Sequence, residues 1–466
     1  VVAPIRQLGA IQQVHSAVPE CATLLLNGDV RRLHHYAVSV LWPSFGHHIV
    51  TTDETLSAAW FRLSMTDELL LNSFVWTSAL EMSLYNATAS NHAVMLRCQN
   101  NVIQDIRSQI DRGQVSDSVL FAVLTLTIRD TDPRRAVQED VEDGYSFGGF
   151  APPLRSLGWL DSFSHFRWTQ SHIDALKRLV TARGGLQNVT APGIAEQLQA
   201  TDLLQASVTL SRPNFALCRL YRHVLNHQVS VVRPPRERVD IFPLAADSLE
   251  FKDLLLDMRM YCRLLETVAE PSSSRCDGSS SSSAPSWETN VCRNLIQFRL
   301  LNLPRDDDNN EEGRPSTPHH EDERLCRLAA LIFSYGVIYP LARRQPLSTL
   351  TKQLRVALKD RPSYRHQSTP HASAGSGSGS SSSSSEFLLW AVVLGGLAAR
   401  DTPHESFFVD SLTDLAARLH IGTFEALTEI MRKFLWLGHA CDQGARELWV
   451  NSCVLSTSTG SEVLEK

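Results

Sequence analysis

The chain reads as all-α, a single large multi-helix domain interrupted by disordered Ser/Gly/Pro-rich and acidic loops. Three observations predict this. Apolar residues recur at helical spacing in one segment after another, several of them opened by capping residues. Only one stretch, the proline-rich Val229 to Pro243, looks extended, and no internal repeat of fixed period is apparent. Of 466 residues, 43% are hydrophobic and 20% charged, an ordinary soluble globular balance that can fill a sizeable core. Length alone allows about three domains, but the helical pattern favours one body.

Residues 1–55 read as a partly ordered N-terminal extension, 56–450 as the helical domain and 451–466 as a tail. Thr66 is placed to cap a helix whose first turn carries Asp67 and Glu68, where the positive end of the helix dipole favours acid. The apolar residues Leu70, Phe74, Val75, Leu80, Leu84 and Tyr85 are spread too widely for one stripe, so this helix should be buried on more than one side. Ser116 or Asp117 can cap Val119 to Ile128, which fits helical spacing, although its β-branched residues also fit a strand.

The clearest local signal is SHIDALKRLVTARGGL, Ser171 to Leu186. Ser171 is a candidate cap, Ile173, Leu176, Leu179 and Val180 share a face, and Asp174 stands four residues before Arg178, the favourable order for a helical ion pair. Arg183 ends the last turn. Gly184 and Gly185 then suit the left-handed backbone that closes a helix, with Leu186 folding back onto it.

EFLLWAVVLGGLAAR, Glu386 to Arg400, is apolar all round and should be a central helix. Gly395 and Gly396 inside it cost about 1 kcal/mol each relative to Ala, which implies close packing against a neighbour or a break. Amphipathic helices follow at Phe407 to Leu419 and Thr423 to Gly438, the second with a stripe of Phe424, Leu427, Ile430, Met431, Phe434 and Leu435. The last spans Cys441 to Trp449.

Three tracts, 271–286, 304–323 and 361–386, are too rich in Ser, Gly, Pro or acid to bury enough apolar surface, and read as disordered insertions. The segments between them are too short to be domains of their own. Long insertions cost little extra closure entropy, so these segments fit as helices of the same body.

The net charge of −6, from 44 Lys+Arg against 50 Asp+Glu, excludes nucleic-acid binding through overall basicity. The nine cysteines lie far apart, so neither a disulfide scaffold nor a zinc-ligand pair can be read, and metal is expected nowhere in this chain. Phe387 to Ala399 covers only 13 residues, where a membrane span needs about 20. The Arg219 to Arg238 cluster reads as ordinary surface. Asp307, Asp308 and Glu311 have the D-D-x-x-E order of a magnesium site in terpenoid synthases, but they sit in a Pro/Ser-rich tract where a solvated charge run is the better reading. No phosphate loop, dinucleotide fingerprint or nucleophile elbow occurs, so no catalytic or cofactor site is expected.

Taken together and in order, DELLLNSFVWTSALEMSLY, NNVIQDIRSQIDRGQVSDSVLFAVLTL, HIDALKRLVTARGGL, FLLWAVVLGGLAAR and FLWLGHACDQGARELW resemble the helical regulatory region of fungal-specific transcription factors. The most specific pieces carry Arg183, Gly184, Gly185 and Leu186, then Trp390, Gly395, Gly396, Trp436 and Trp449. The resemblance implies structural roles for all nine and no active site. It implies a nuclear transcription regulator, not an enzyme, that meets co-regulator proteins or a second copy of itself. In complete members this region follows a zinc-cluster module in which two zinc ions share six cysteines. This chain has no such cluster. It begins at Val1 without an initiating Met, so DNA contact and zinc are expected in a module upstream, or the protein regulates without touching DNA. An all-helical scaffold without a transcriptional role remains the competing reading.

Overall fold

The computed structural model describes residues 20–45, 54–85, 89–129, 147–161, 167–231, 248–269, 287–304, 318–341, 343–361 and 380–461. It is all-α, as predicted. The first helices are α1 (Glu20–Leu24) and α2 (Gly28–Tyr36), the latter opened by Asn27, whose side-chain oxygen accepts the N–H groups of Asp29 and Val30. A π turn, Ala37–Leu41, carries α2 on into Trp42–Ser44. Next come α3 (Leu56–Thr66) and α4 (Glu68–Tyr85). Asp67, rather than Thr66, caps α4, its Oδ1 accepting the Leu70 N–H at 3.0 Å. Thr66 is still inside α3, where its hydroxyl donates back to the Arg62 carbonyl. As its pattern predicts, α4 is buried on more than one side: Leu70 and Phe74 join one apolar cluster, Leu71, Val75 and Trp76 another.

After α5 (Ala89–Asp111), Ser116 caps α6 (Asp117–Thr127) by accepting the Val119 N–H at 3.2 Å. The β-branched segment is therefore helix. Extended pairing starts only beyond it, where β1 (Ile128–Arg129) runs antiparallel to β2 (Arg167–Trp168), with Ile128 opposite Trp168. That pairing sets the start of α7 (Gln170–Ala182), because the Thr169 N–H donates to the Thr127 carbonyl at 2.8 Å. Ser171 thus lies inside the first turn and is not the cap. Asp174 pairs with Lys177 at 3.8 Å instead of with Arg178, and it also accepts the Gln170 side-chain amide.

The remaining helices are α8 (Ile194–Thr209), α9 (Arg219–Val231), α10 (Leu249–Ala269), α11 (Trp287–Asn302), α12 (Pro318–Phe333), α13 (Arg344–Asp360), α14 (Ser380–Ala399), α15 (Glu405–Arg418), α16 (Phe424–Met431) and α17 (Gly438–Ser461). Val229–Val231, expected to be extended, end α9, and the rest of that proline-rich stretch lies outside the described residues. The polar tracts are shorter than composition suggests. Helix α12 starts at Pro318, a residue suited to a first turn, and α14 starts at Ser380 within the Ser run. An ion pair at 2.7 Å joins Asp322 to Arg361, with side chains 8% and 12% exposed, so the inner ends of the two tracts are tied together. Tract 271–286 and the central parts of the other two lie outside the described residues.

Among the described residues three apolar clusters make up the core. One lies among α1, α2, α4 and α5; a second joins α3, α4 and α6 to α7, α8 and α9; the third holds the helices from α10 onward. Two helices belong to both of the larger clusters. In α8, Leu198 faces the second and Leu203 the third; in α11, Val291 and Leu295 face the second, Ile296 and Leu300 the third.

Between these apolar faces α11 buries polar side chains. Asn294 donates to the Tyr221 hydroxyl at 2.8 Å, Gln297 donates to Ser207 at 3.1 Å, and Ser334, in the π turn Ser334–Ile338 after α12, donates to Gln297 at 2.7 Å. Arg293 donates to the Leu157 carbonyl and to Asn290, and its guanidinium lies 5.3 Å from the centre of the Tyr339 ring.

Helix α14 is the hub of the third cluster, packing against α12, α13, α15 and α17. It is unbroken at its glycine pair. A Cβ on Gly395 would overlap the Phe408 ring of α15, and one on Gly396 would meet Leu448 of α17. Helix α16 ends earlier than expected, at Met431, where tight turns run from the N–H groups of Arg432, Lys433 and Phe434 back to Thr428, Ile430 and Met431. Phe434 and Leu435 are nonetheless buried. At its other end α17 reaches beyond Cys441–Trp449, starting at Gly438 and running to Ser461.

In an exposed helix Gly→Ala stabilises by about 1 kcal/mol. At Gly395 the overlap with a fully buried ring reverses the sign, so Gly395→Ala should destabilise by about 1–3 kcal/mol in urea denaturation. An increase in stability would show that α14 and α15 are not in this close contact.

Candidate functional site

The nine signature residues fall into two places. The first is the end of α7. Gly184 (φ +82) and Gly185 (φ +96) take backbone conformations that side chains resist. The Gly185 N–H returns to the Val180 carbonyl and the Gly184 N–H to that of Thr181, both at 2.9 Å, which is the Schellman closure. Leu186 folds back, 2% exposed, into the same cluster as Leu176 and Val180. Arg183 then reaches out of the motif to Asp117, in the first turn of α6, at 2.6 Å. The other Asp117 oxygen accepts the backbone N–H groups of Thr190 and Ala191, each at 2.8 Å. One carboxylate therefore locks the end of α7 and the following loop to the start of α6.

That loop reaches further inward. The Trp60 indole donates to the Pro192 carbonyl at 2.7 Å, and the backbone of Gly193 packs directly on Leu56 and Trp60. The Arg183 latch thus supports an aromatic wall formed by α3 and its neighbours.

The second place is around α14. The Trp390 indole donates to the Leu435 carbonyl at 2.9 Å and stacks on Phe434, with centroids 5.5 Å apart and planes 22° from parallel. This interaction holds the turn that stops α16. The Trp436 indole donates to Asp442 in the first turn of α17 at 2.8 Å, and Trp449 packs on the cluster from the same helix. Gly395 and Gly396 are the contact points described above. Arg183 and Trp436 are among the nine signature residues, but neither of their partners is. Asp117 stood in the sequence only as a possible cap, and Asp442 carried no signal.

Other chemistry is sparse. Among the described residues no group of three or more His, Cys, Asp or Glu is placed to hold a metal ion. Asp307, Asp308 and Glu311 lie outside the described residues. Burial pushes the thiols of Cys98 and Cys292 up to about 11 and Cys218 up to about 12, and it raises Cys262, Cys326 and Cys441 as well. Protonated thiols are poor nucleophiles. No helix among the described residues is long and apolar enough to cross a membrane. A cleft of about 400 Å³ lies between α10 and the turn after α16, where Arg259, Arg263, Arg432, His439 and Glu266 are among its lining residues.

The described residues form a large all-α body whose distinctive residues close helices, lock loops and seat helix on helix. The family is shown directly. The model of the fungal specific transcription factor domain matches residues 31–436, and the chain belongs to that family. Neither a curated protein nor a solved structure matches the chain.

Asp117→Ala removes the partner of Arg183 and leaves two backbone N–H groups without an acceptor. It should cost about 2–4 kcal/mol in urea denaturation, well above the ~1 kcal/mol of an ordinary cap. A loss below 1 kcal/mol would mean that the latch is dispensable.

Proposed function

We propose that this chain is the regulatory and interaction domain of a zinc-cluster-type transcription factor and that it works in the nucleus. It acts by presenting helix surfaces to co-regulator proteins or to a second copy of itself, and it reaches DNA only through a module outside these residues. Membership of the family over residues 31–436 carries this reading. Two features support it. The nine signature residues serve packing or backbone closure, as an interaction scaffold requires, and the net charge of −6 leaves no overall basicity for DNA binding. The arginine-lined cleft between α10 and the turn after α16 is suited to a partner's acidic segment.

Fusing residues 1–466 to a heterologous DNA-binding domain tests the reading through a reporter gene bearing that domain's site. The expected result is a change in transcription of severalfold or more, in either direction, under at least one growth condition. A reporter that stays at the level of the DNA-binding domain alone in every condition contradicts it, as does exclusion of the natural protein from the nucleus.

A further inference from the structure

Next to the loop that the Arg183 latch holds lies a small cavity of about 50 Å³, lined by the aromatic rings of Trp42, Phe45, Trp60, Phe74 and Phe121. The rings brace one another. Trp42 meets Phe74 at 4.8 Å, and Trp60 and Phe121 lie 5.1 and 5.0 Å from the same ring. One acidic side chain enters this mainly aromatic and aliphatic space, which Thr77, Thr125, Gln197 and Thr201 also line. Phe74, Thr77 and Glu81 follow one another along a single face of α4, at spacings of three and four residues, and all line the cavity. Glu81 is 1% exposed. Its Oε2 accepts the hydroxyl of Tyr36, at the end of α2, while its Oε1 has no hydrogen-bond partner among the described residues.

A buried carboxylate oxygen without a donor costs about 1–3 kcal/mol or more, so a ligand that brings a donor to Oε1 gains that free energy. Among the described residues no Lys, Arg or His lines the cavity. Two features define the ligand's chemistry. A carboxylate is best matched by a group that donates hydrogen bonds and carries positive charge. Aromatic faces attract the same charge and accept a hydrocarbon body. One water needs about 10–15 Å³ of such space, so the cavity admits roughly four or five heavy atoms. Burial raises the Glu81 pKa in the empty site, and a bound cation would draw it back to the ionised form.

We infer that this cavity is an effector site for a small aliphatic amine, held by Glu81 Oε1 and enclosed by the aromatic rings. The site is formed by the segment after α2, by α3, α4 and α6, and by Gln197 and Thr201 of α8, and the Trp60–Pro192 hydrogen bond connects it to the Arg183 latch. Occupancy would therefore tighten the contact between the N-terminal helices and the loop after α7. The inference stands without the transcriptional reading, since it concerns binding alone.

The test uses the full chain near pH 7 with n-butylamine as probe and n-butanol as its uncharged isostere. Thermal unfolding and tryptophan fluorescence are followed, because Trp42 and Trp60 line the space. Butylamine should raise the melting temperature in a saturable way and perturb the fluorescence. Butanol should bind at least about tenfold more weakly, as should butylamine to Glu81→Gln. Thr77→Leu, which fills the cavity and leaves Glu81 intact, should abolish the response. Should Glu81→Gln fail to fold, Thr77→Leu and the butanol comparison decide. No saturable binding would show a site filled with water only. Equal binding of butanol, or unchanged binding by either folded variant, would equally overturn the assignment. None of these negative outcomes alters the reporter result.

Discussion

The structure depends most on the polar face of α11. This helix passes between the two larger apolar clusters, giving Val291 and Leu295 to one and Ile296 and Leu300 to the other. On the flank between these faces, Asn294 and Gln297 are hydrogen-bonded to groups of α8, α9 and the turn after α12. In a low-dielectric interior such bonds gain only modestly when made, but each broken one strands a desolvated group at about 1–3 kcal/mol. The two clusters cannot slide or separate along α11 without breaking several together. Arg293 adds to this: burial lowers its pKa, and the Leu157 carbonyl, Asn290 and the Tyr339 ring surround it. A fully enclosed guanidinium tolerates little displacement of these neighbours.

On either side of that seam the halves are held by different means. In the C-terminal half the decisive constraint is distance: glycine at 395 and 396 lets α15 and α17 seat directly on α14, and the Trp390 indole secures the turn after α16. In the N-terminal half it is charge. Asp117 gathers Arg183 and two loop N–H groups, and the same loop fixes Trp60 against the aromatic cavity. Sequence, packing and the proposed effector site are connected here, because the residues that close α7 also support the cavity wall.

Much of this was legible before any coordinates. Helix-length patterns, the glycine closure after Arg183 and the tight packing implied by two glycines in an apolar helix rest on local spacing, and local spacing is what a sequence displays. Long-range pairings are not. Asp117 and Arg183 are 66 positions apart, Tyr36 and Glu81 45, and nothing in either neighbourhood marks the partner. The α11 segment WETNVCRNLIQF mixes apolar and polar residues without a clean stripe, since it serves two cores and a hydrogen-bonded seam at once. Boundary errors have local causes of the same kind. Thr66 was already spent inside α3, β pairing set the start of α7, and the Trp390 hydrogen bond to the Leu435 carbonyl holds the chain in a turn after Met431.

The α11 seam makes one cooperative body of two apolar cores. Equilibrium urea unfolding of the wild-type chain and of Gln297→Ala, followed by both far-ultraviolet circular dichroism and tryptophan fluorescence, measures it most directly. The two signals of the wild type should fall on a single transition. In Gln297→Ala, which removes the acceptor of Ser334 and the amide donor to Ser207, they should separate, with a total loss of about 2–4 kcal/mol. A wild-type chain that already unfolds in two steps, together with a Gln297→Ala variant of unchanged stability, would contradict it.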